Sequence, residues 1–152
     1  RIPFRIDTDR KDRTETEEKT KASIQGLHVL LAEDNELNAE ILTELLKMKG
    51  AECTICENGE KVVKTFEQSV PGTYDMILMD VQMPVMNGYD AARAIRRSLH
   101  KQAGTIPIIA MTANAFSEDI RHSLTAGMNA HIAKPVDMKL LITMINELTE
   151  TY

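Results

Sequence analysis

Five side chains of this 152-residue sequence could do chemistry together: Glu33, Asp34, Asp80, Thr112 and Lys134. Each stands at the end of an apolar run. Residues 27–32 lead into Glu33 and Asp34, 74–79 into Asp80, 106–111 into Thr112, and 129–133 into Lys134. Three carboxylates held close repel one another, and a hard divalent cation is their natural remedy. Mg²⁺ accepts a few carboxylate or carbonyl oxygens and keeps its other positions for water or phosphate. An ammonium beside them clamps a dianionic phosphoryl group, and a hydroxyl can donate to one phosphoryl oxygen. Such a set suits a phosphoryl group in transfer, with a carboxylate as nucleophile. Singly, each residue has a plainer use: a strand-end Asp caps a helix, Thr112 closes a turn, Lys134 points to solvent. Their joint placement is what argues for a site.

The elements that must position them alternate. Residues 27–32, 51–56, 74–79, 106–111 and 129–133 read as strands, apolar on both faces. Between them lie helical patterns. Ile41, Leu42, Leu45, Leu46 and Met48 share one side of the first, which Gly50 stops. Asn58 caps the second, which carries Val62, Val63 and Phe66; the third opens at Gly88 with Ala91, Ala92, Ile95 and Leu99. Phe116, Ile120 and Leu124 mark the fourth, and Asp137 caps the fifth, which carries Met138, Leu141, Met144, Ile145 and Leu148. Five strand–helix repeats call for an α/β fold, a parallel sheet covered by helices on both sides. Right-handed crossovers and this length favour the doubly wound, flavodoxin-like order 2-1-3-4-5. In such a sheet the functional crevice lies outside the carboxyl ends of the strands, where the five residues stand.

Composition narrows the classes. With 43% hydrophobic residues the chain can build a core, and a net charge of −5 argues against nucleic acid as a direct partner. No apolar run is long enough to span a membrane and no secretory signal is legible, so a cytoplasmic setting is expected. Cys53 and Cys56 form a C-x-x-C, but on a strand residues three apart point to opposite faces, so packing is expected rather than redox or metal chemistry. Residues 7–24 are dominated by charge and Thr and read as a linker. The chain begins with Arg, which suggests an excised fragment, and residues 1–6 form a strand-like scrap.

The segments Leu31-Ala32-Glu33-Asp34-Asn35, Met79-Asp80-Val81-Gln82-Met83-Pro84-Val85-Met86-Asn87-Gly88, Ala110-Met111-Thr112-Ala113 and Ala133-Lys134-Pro135 resemble response-regulator receiver domains over residues 25–150. The run around Asp80 is most similar to receivers fused to hybrid sensor histidine kinases. Residues 1–6 resemble the last strand of a histidine-kinase ATPase domain. The resemblance implies that Asp80 is the phosphoacceptor, taking its phosphoryl group from a phosphohistidine. Asp34 and Asp80 would ligate Mg²⁺, Glu33 would act mainly through water, and the Gln82 backbone carbonyl would complete the metal site. Lys134, with a cis bond to Pro135, would pair with the phosphoryl oxygens, and Thr112 would move toward them as the switch. The implied partners are a histidine kinase domain and a histidine phosphotransfer domain, docking on the helix after strand one and the loop after strand five. The domain itself would be a monomer or weak dimer. It would catalyse its own phosphorylation and dephosphorylation without being a turnover enzyme, and the parent protein would be a histidine kinase.

Two positions depart from the commonest pattern. Glu33 replaces an Asp, giving an E-D pair that is still compatible with metal binding, and His131 stands where many receivers carry an aromatic switch residue. His131 has a rotating role and a packing role as alternatives. Gln82 and Asn114, two residues beyond Asp80 and Thr112, are expected to tune phosphoryl lifetime. The competing class is a Mg²⁺-dependent phosphohydrolase with an aspartyl nucleophile, but its usual D-x-D pair is D-x-Q here, and no insert is long enough to cap a substrate. A Rossmann nucleotide site would need a Gly-rich turn where Glu33-Asp34-Asn35 stands.

Overall fold

The computed structural model describes residues 24–113 and 117–150. Five strands, β1 (His28–Ala32), β2 (Glu52–Cys56), β3 (Met76–Asp80), β4 (Ile108–Thr112) and β5 (Ala130–Ala133), form one parallel sheet in the order β2-β1-β3-β4-β5. Five helices alternate with them: α1 (Glu36–Met48), α2 (Gly59–Gln68), α3 (Gly88–Arg97), α4 (Ser117–Thr125) and α5 (Met138–Glu150). The expected fold class and strand order are those observed. Strands are one or two residues shorter at their starts than the apolar runs, because those first residues precede the ladder.

Each face of the sheet carries its own core. Leu30, Ala32, Ile77, Met79, Ile108 and Ala110 pack with Val62, Val63 and Phe66 of α2 and Ala91, Ala92 and Ile95 of α3. The alternate residues, Val29, Leu31, Met76, Leu78, Ile109 and Met111, pack with Leu42 and Leu46 of α1 and Leu141 and Ile145 of α5. Burial on both faces is why strands β3 and β4 read as unbroken apolar runs. The cysteines obey the same alternation: Cys56 lies in the first core and Cys53 packs against the second, so the C-x-x-C is split across the sheet. Burial pushes the Cys53 thiol up to about 11 and raises that of Cys56, which leaves both as unreactive thiols.

Some apolar positions expected on the core side are not there. Ile41 and Met48 of α1 are exposed, since the buried stripe runs through Ala39, Leu42 and Leu46. Leu99 is fully exposed because α3 stops at Arg97, and Leu124 of α4 also faces solvent. In the other direction, Ile24 is fully buried, so the folded unit includes the residue before the expected boundary. The expectations for residues 1–6 and 7–23, and for Asn114 and Phe116, lie outside the described residues.

The sequence caps its helices locally. Asn35, Asn58 and Asn87 each accept a backbone N–H three residues on, from Asn38, Lys61 and Asp90, and so fix where α1, α2 and α3 begin. Arg96 fastens the far end of α3: its guanidinium donates to the carbonyls of Gly127 and Ala103 and to Asn129 Oδ1, at 2.8 to 3.0 Å. Between β3 and α3 the chain turns sharply at Val85, where φ is +68° and Met86 N donates to Pro84 O at 2.7 Å. Such a γ-turn is strained for a β-branched residue, and the loop holding it borders the site.

Candidate functional site

The carboxyl ends of β1, β3, β4 and β5 bring the predicted residues to one crevice. Asp80 closes β3 and Thr112 closes β4, both buried; Glu33 follows β1 and is 2% exposed, while Asp34 faces outward. Lys134 follows β5 and reaches back across the sheet, its Nζ 2.9 Å from Asp80 Oδ2 and 3.1 Å from Glu33 Oε2. Glu33 Oε1 accepts the Asn35 N–H at 3.1 Å, and Asp80 Oδ1 accepts the Gln82 N–H at 3.2 Å. Glu33, Asp34, Asp80, Gln82, Thr112 and Lys134 all line a cleft of about 290 Å³. The Lys134–Pro135 bond is cis. His131 sits on β5 opposite Ala110, half-buried, and lies outside the lining of that cleft.

The electrostatics follow from the crowding. Burial, with Asp80 nearby, raises the Glu33 carboxyl above its ordinary range despite the opposing pull of the Asn35 N–H and Lys134. Burial also works against the Lys134 charge, but the Asp80 and Glu33 carboxylates outweigh it and raise the ammonium, which stays charged throughout the physiological range. One lysine therefore faces more negative charge than it cancels.

The cluster meets the requirements of a hard cation. Carboxylate oxygens of Glu33, Asp34 and Asp80 lie within 4.8 Å of one another, and the buried Glu33 Oε2 faces Lys134 Nζ at 3.1 Å. All three donors are oxygen, as Mg²⁺ prefers. The raised Glu33 value gives a test with a definite sign. A carboxyl whose folded value lies above the unfolded 4.5 contributes stability at low pH and loses it as pH climbs through the raised value. Metal-free Glu33→Gln is therefore expected to melt a few degrees above wild type at pH 7, with the gap closing as pH falls through the raised value and gone below about 4.5. Thermal melts across pH check this, and Mg²⁺ should raise the wild-type midpoint more than that of the variant.

Two features of the site were not legible in the sequence. Asn38, one turn into α1, lines the cleft, and only the Asn-x-x-Asn cap spacing hinted at it. Tyr89 lines a neighbouring cleft together with Asp34, Gln82 and Thr112. Beside Lys134, an apolar groove of about 390 Å³ runs between Ile41, Leu42 and Leu45 of α1 and Pro135-Val136 after β5. The phosphohydrolase alternative gains no footing, because only residues 81–87 connect β3 to α3, too few for a capping insert.

A doubly wound 2-1-3-4-5 sheet with an acidic, lysine-capped cleft at its carboxyl edge defines a class of small phosphoryl-accepting modules. The chain belongs to the response regulator receiver domain family, whose model matches residues 29–146. It is 35% identical to Histidine kinase 1 of Arabidopsis thaliana, over 87% of this chain and 13% of that protein. It is 39% identical to Hybrid signal transduction histidine kinase I of Dictyostelium discoideum, over 78% of this chain and 7% of that one. The chain thus spans a small part of these curated relatives. Among solved structures it resembles the receiver domain of sensor histidine kinase PA1611 from Pseudomonas aeruginosa, which has a magnesium ion in its active-site cleft. The TM-score there is 0.73 and the identity 36%, over 82% of this chain and 98% of that one. It also resembles a chain of the co-crystal of Saccharomyces cerevisiae Ypd1, a histidine phosphotransfer protein, with the receiver domain of Ssk1. That TM-score is 0.75 at 31% identity, over 84% of this chain and 92% of that one. The function is that of a receiver in a two-component phosphorelay, of the type found in hybrid histidine kinases.

Proposed function

We propose that Asp80 accepts a phosphoryl group from a phosphohistidine and that Lys134, Thr112 and the neighbouring acids serve this transfer. The observation that carries the reading is Lys134 Nζ bridging Asp80 and Glu33 at 2.9 and 3.1 Å, in a cluster of three carboxylates. An Asp80 carboxylate oxygen attacks phosphorus as the P–N bond of the phosphohistidine breaks. The imidazole leaves with the electron pair and Asp80 keeps an acyl phosphate. Lys134 holds one phosphoryl oxygen and Thr112 donates to another, which offsets charge where it builds up. Mg²⁺ held by Asp34, Asp80, the Gln82 carbonyl and, through water, Glu33 would neutralise the crowded acids and orient the phosphoryl oxygens.

Partner choice follows from the groove beside Lys134. Ile41, exposed on α1, lines an apolar channel with Leu42, Leu45 and Val136, and Glu33 and Lys134 of the cleft line it too. A helix carrying a phosphorylatable histidine could lay its apolar face there and present the imidazole to Asp80. The partners we infer are a histidine kinase domain and a histidine phosphotransfer domain, with this chain as part of a hybrid histidine kinase. Incubation with a radiolabelled phosphohistidine donor tests the reading. Label should enter with Mg²⁺ present and fail to enter once the metal is removed by chelation. It should be released by alkali, as acyl phosphates are, and map to Asp80. Label on a hydroxyl residue or a histidine, or sustained hydrolysis of a small phosphomonoester, would overturn it.

A further inference from the structure

We propose that Tyr89, on α3, carries the state of the Asp80 site to helix α4. The proposal rests on the reading of Asp80 as phosphoacceptor and adds the route by which its modification is felt. Thr112 is the residue positioned to respond to a phosphoryl group, and the aromatic residue that shares a cleft with it is Tyr89, alongside Gln82 and Asp34. His131, in the place of the usual switch aromatic, lies outside that lining.

Tyr89 has contacts on both sides. It packs against the core on the α2–α3 face of the sheet, the face on which Thr112 falls by strand alternation from Ile108 and Ala110. Its ring meets the His122 ring of α4 edge-on, with centroids 5.7 Å apart and planes at 86°. An edge-to-face pair depends on orientation, so a small turn of one ring alters the other's preferred position. A Tyr side chain moves between discrete rotamers, which makes the pair a two-state element rather than a graded one. Drawing Thr112 toward a phosphoryl group on Asp80 frees space on the Tyr89 side of the cleft. Tyr89 follows into that space, the contact with His122 shifts, and α4 is repositioned. Helix α4 is thereby linked to the site through α3 rather than through β5.

Beryllofluoride with Mg²⁺, a phosphoryl mimic, tests the link by NMR on the whole chain. In wild type, the Thr112 amide and the His122 ring resonances should both shift, with His100, on the α3–β4 connection, as a remote reference. In Tyr89→Leu the Thr112 amide should still shift while the His122 response falls to that of His100. In His131→Ala the His122 response should persist. A full His122 response in Tyr89→Leu, or its loss in His131→Ala, would sink the proposal. Should Tyr89→Leu not fold, His122→Ala reads the same link through the backbone amides of Arg121 and Leu124. Those amides should lose their response, and a retained response overturns the link. If the wild-type Thr112 amide does not move, the failure lies in the Asp80 reading, and the coupling falls with it.

Discussion

Phosphoryl uptake by Asp80→Asn is expected to drop by about 10³-fold or more, because an amide oxygen is a far poorer nucleophile and no other acid takes its position. Glu33 is buried at the cleft wall and held by the Asn35 N–H and Lys134, and Asp34 faces outward. Neither is placed at the end of β3. The loss should not come from unfolding. Removing the Asp80 charge leaves Lys134 paired with Glu33 and relieves the carboxylate repulsion that adds to burial in raising Glu33. Metal-free Asp80→Asn should therefore melt at or above the wild-type midpoint at pH 7, while label from a phosphohistidine donor is absent. Uptake by Asp80→Asn at more than a few per cent of the wild-type rate would move the acceptor elsewhere. A collapse in its melting point would mean that Asp80 is chiefly a structural partner of Lys134.

Gly88→Ala is expected to damage the fold and the site together. A Cβ there would lie 2.3 Å from the Asp80 carbonyl oxygen, 2.9 Å from Val81 Cα and 3.0 Å from Met79 Cγ. Two of these are backbone atoms of β3 and its continuation, so a side chain cannot simply turn aside. Gly88 N also donates to Val81 O at 2.9 Å, which ties the start of α3 to the strand it must retreat from. Overpacking of this kind costs about 3 kcal/mol. That should lower the melting midpoint by about 10 °C in a domain of this size. Because the displaced backbone is that of Asp80, phosphorylation should slow as well, by about 10²-fold for a shift near 1 Å. Gly104→Ala is the matching control: a Cβ there meets nothing within 4 Å, and both stability and rate should stay near wild type.

These two residues show why the motif around Asp80 reads as it does. Asp80 is the acceptor we propose, while Gly88, eight residues on, is there because α3 starts against the Asp80 carbonyl. Asn87 caps that helix and Val85 makes the turn that brings it back, at φ +68°. Gly59 belongs to the same arrangement, since its N–H donates to Met86 O and a Cβ would lie 2.2 Å from that oxygen. The loop that follows Asp80 is thus wedged between two helix starts, both of which need glycine.

The sequence alone determined the parallel sheet, its order, and the five residues at its carboxyl edge. Those properties follow from local patterning: apolar runs buried on both faces, helical spacing between them, and polar residues where each run stops. It also determined that Cys53 and Cys56 would part, since alternation along a strand is a local rule. The tertiary structure alone decided what depends on distance between segments. It set Lys134 against both Asp80 and Glu33, left Ile41 and Leu99 in solvent despite their helical spacing, and brought Tyr89 of α3 to His122 of α4. Spacing along a chain says which face a side chain shares with its neighbours. Only the packing of one element on another says what that face meets.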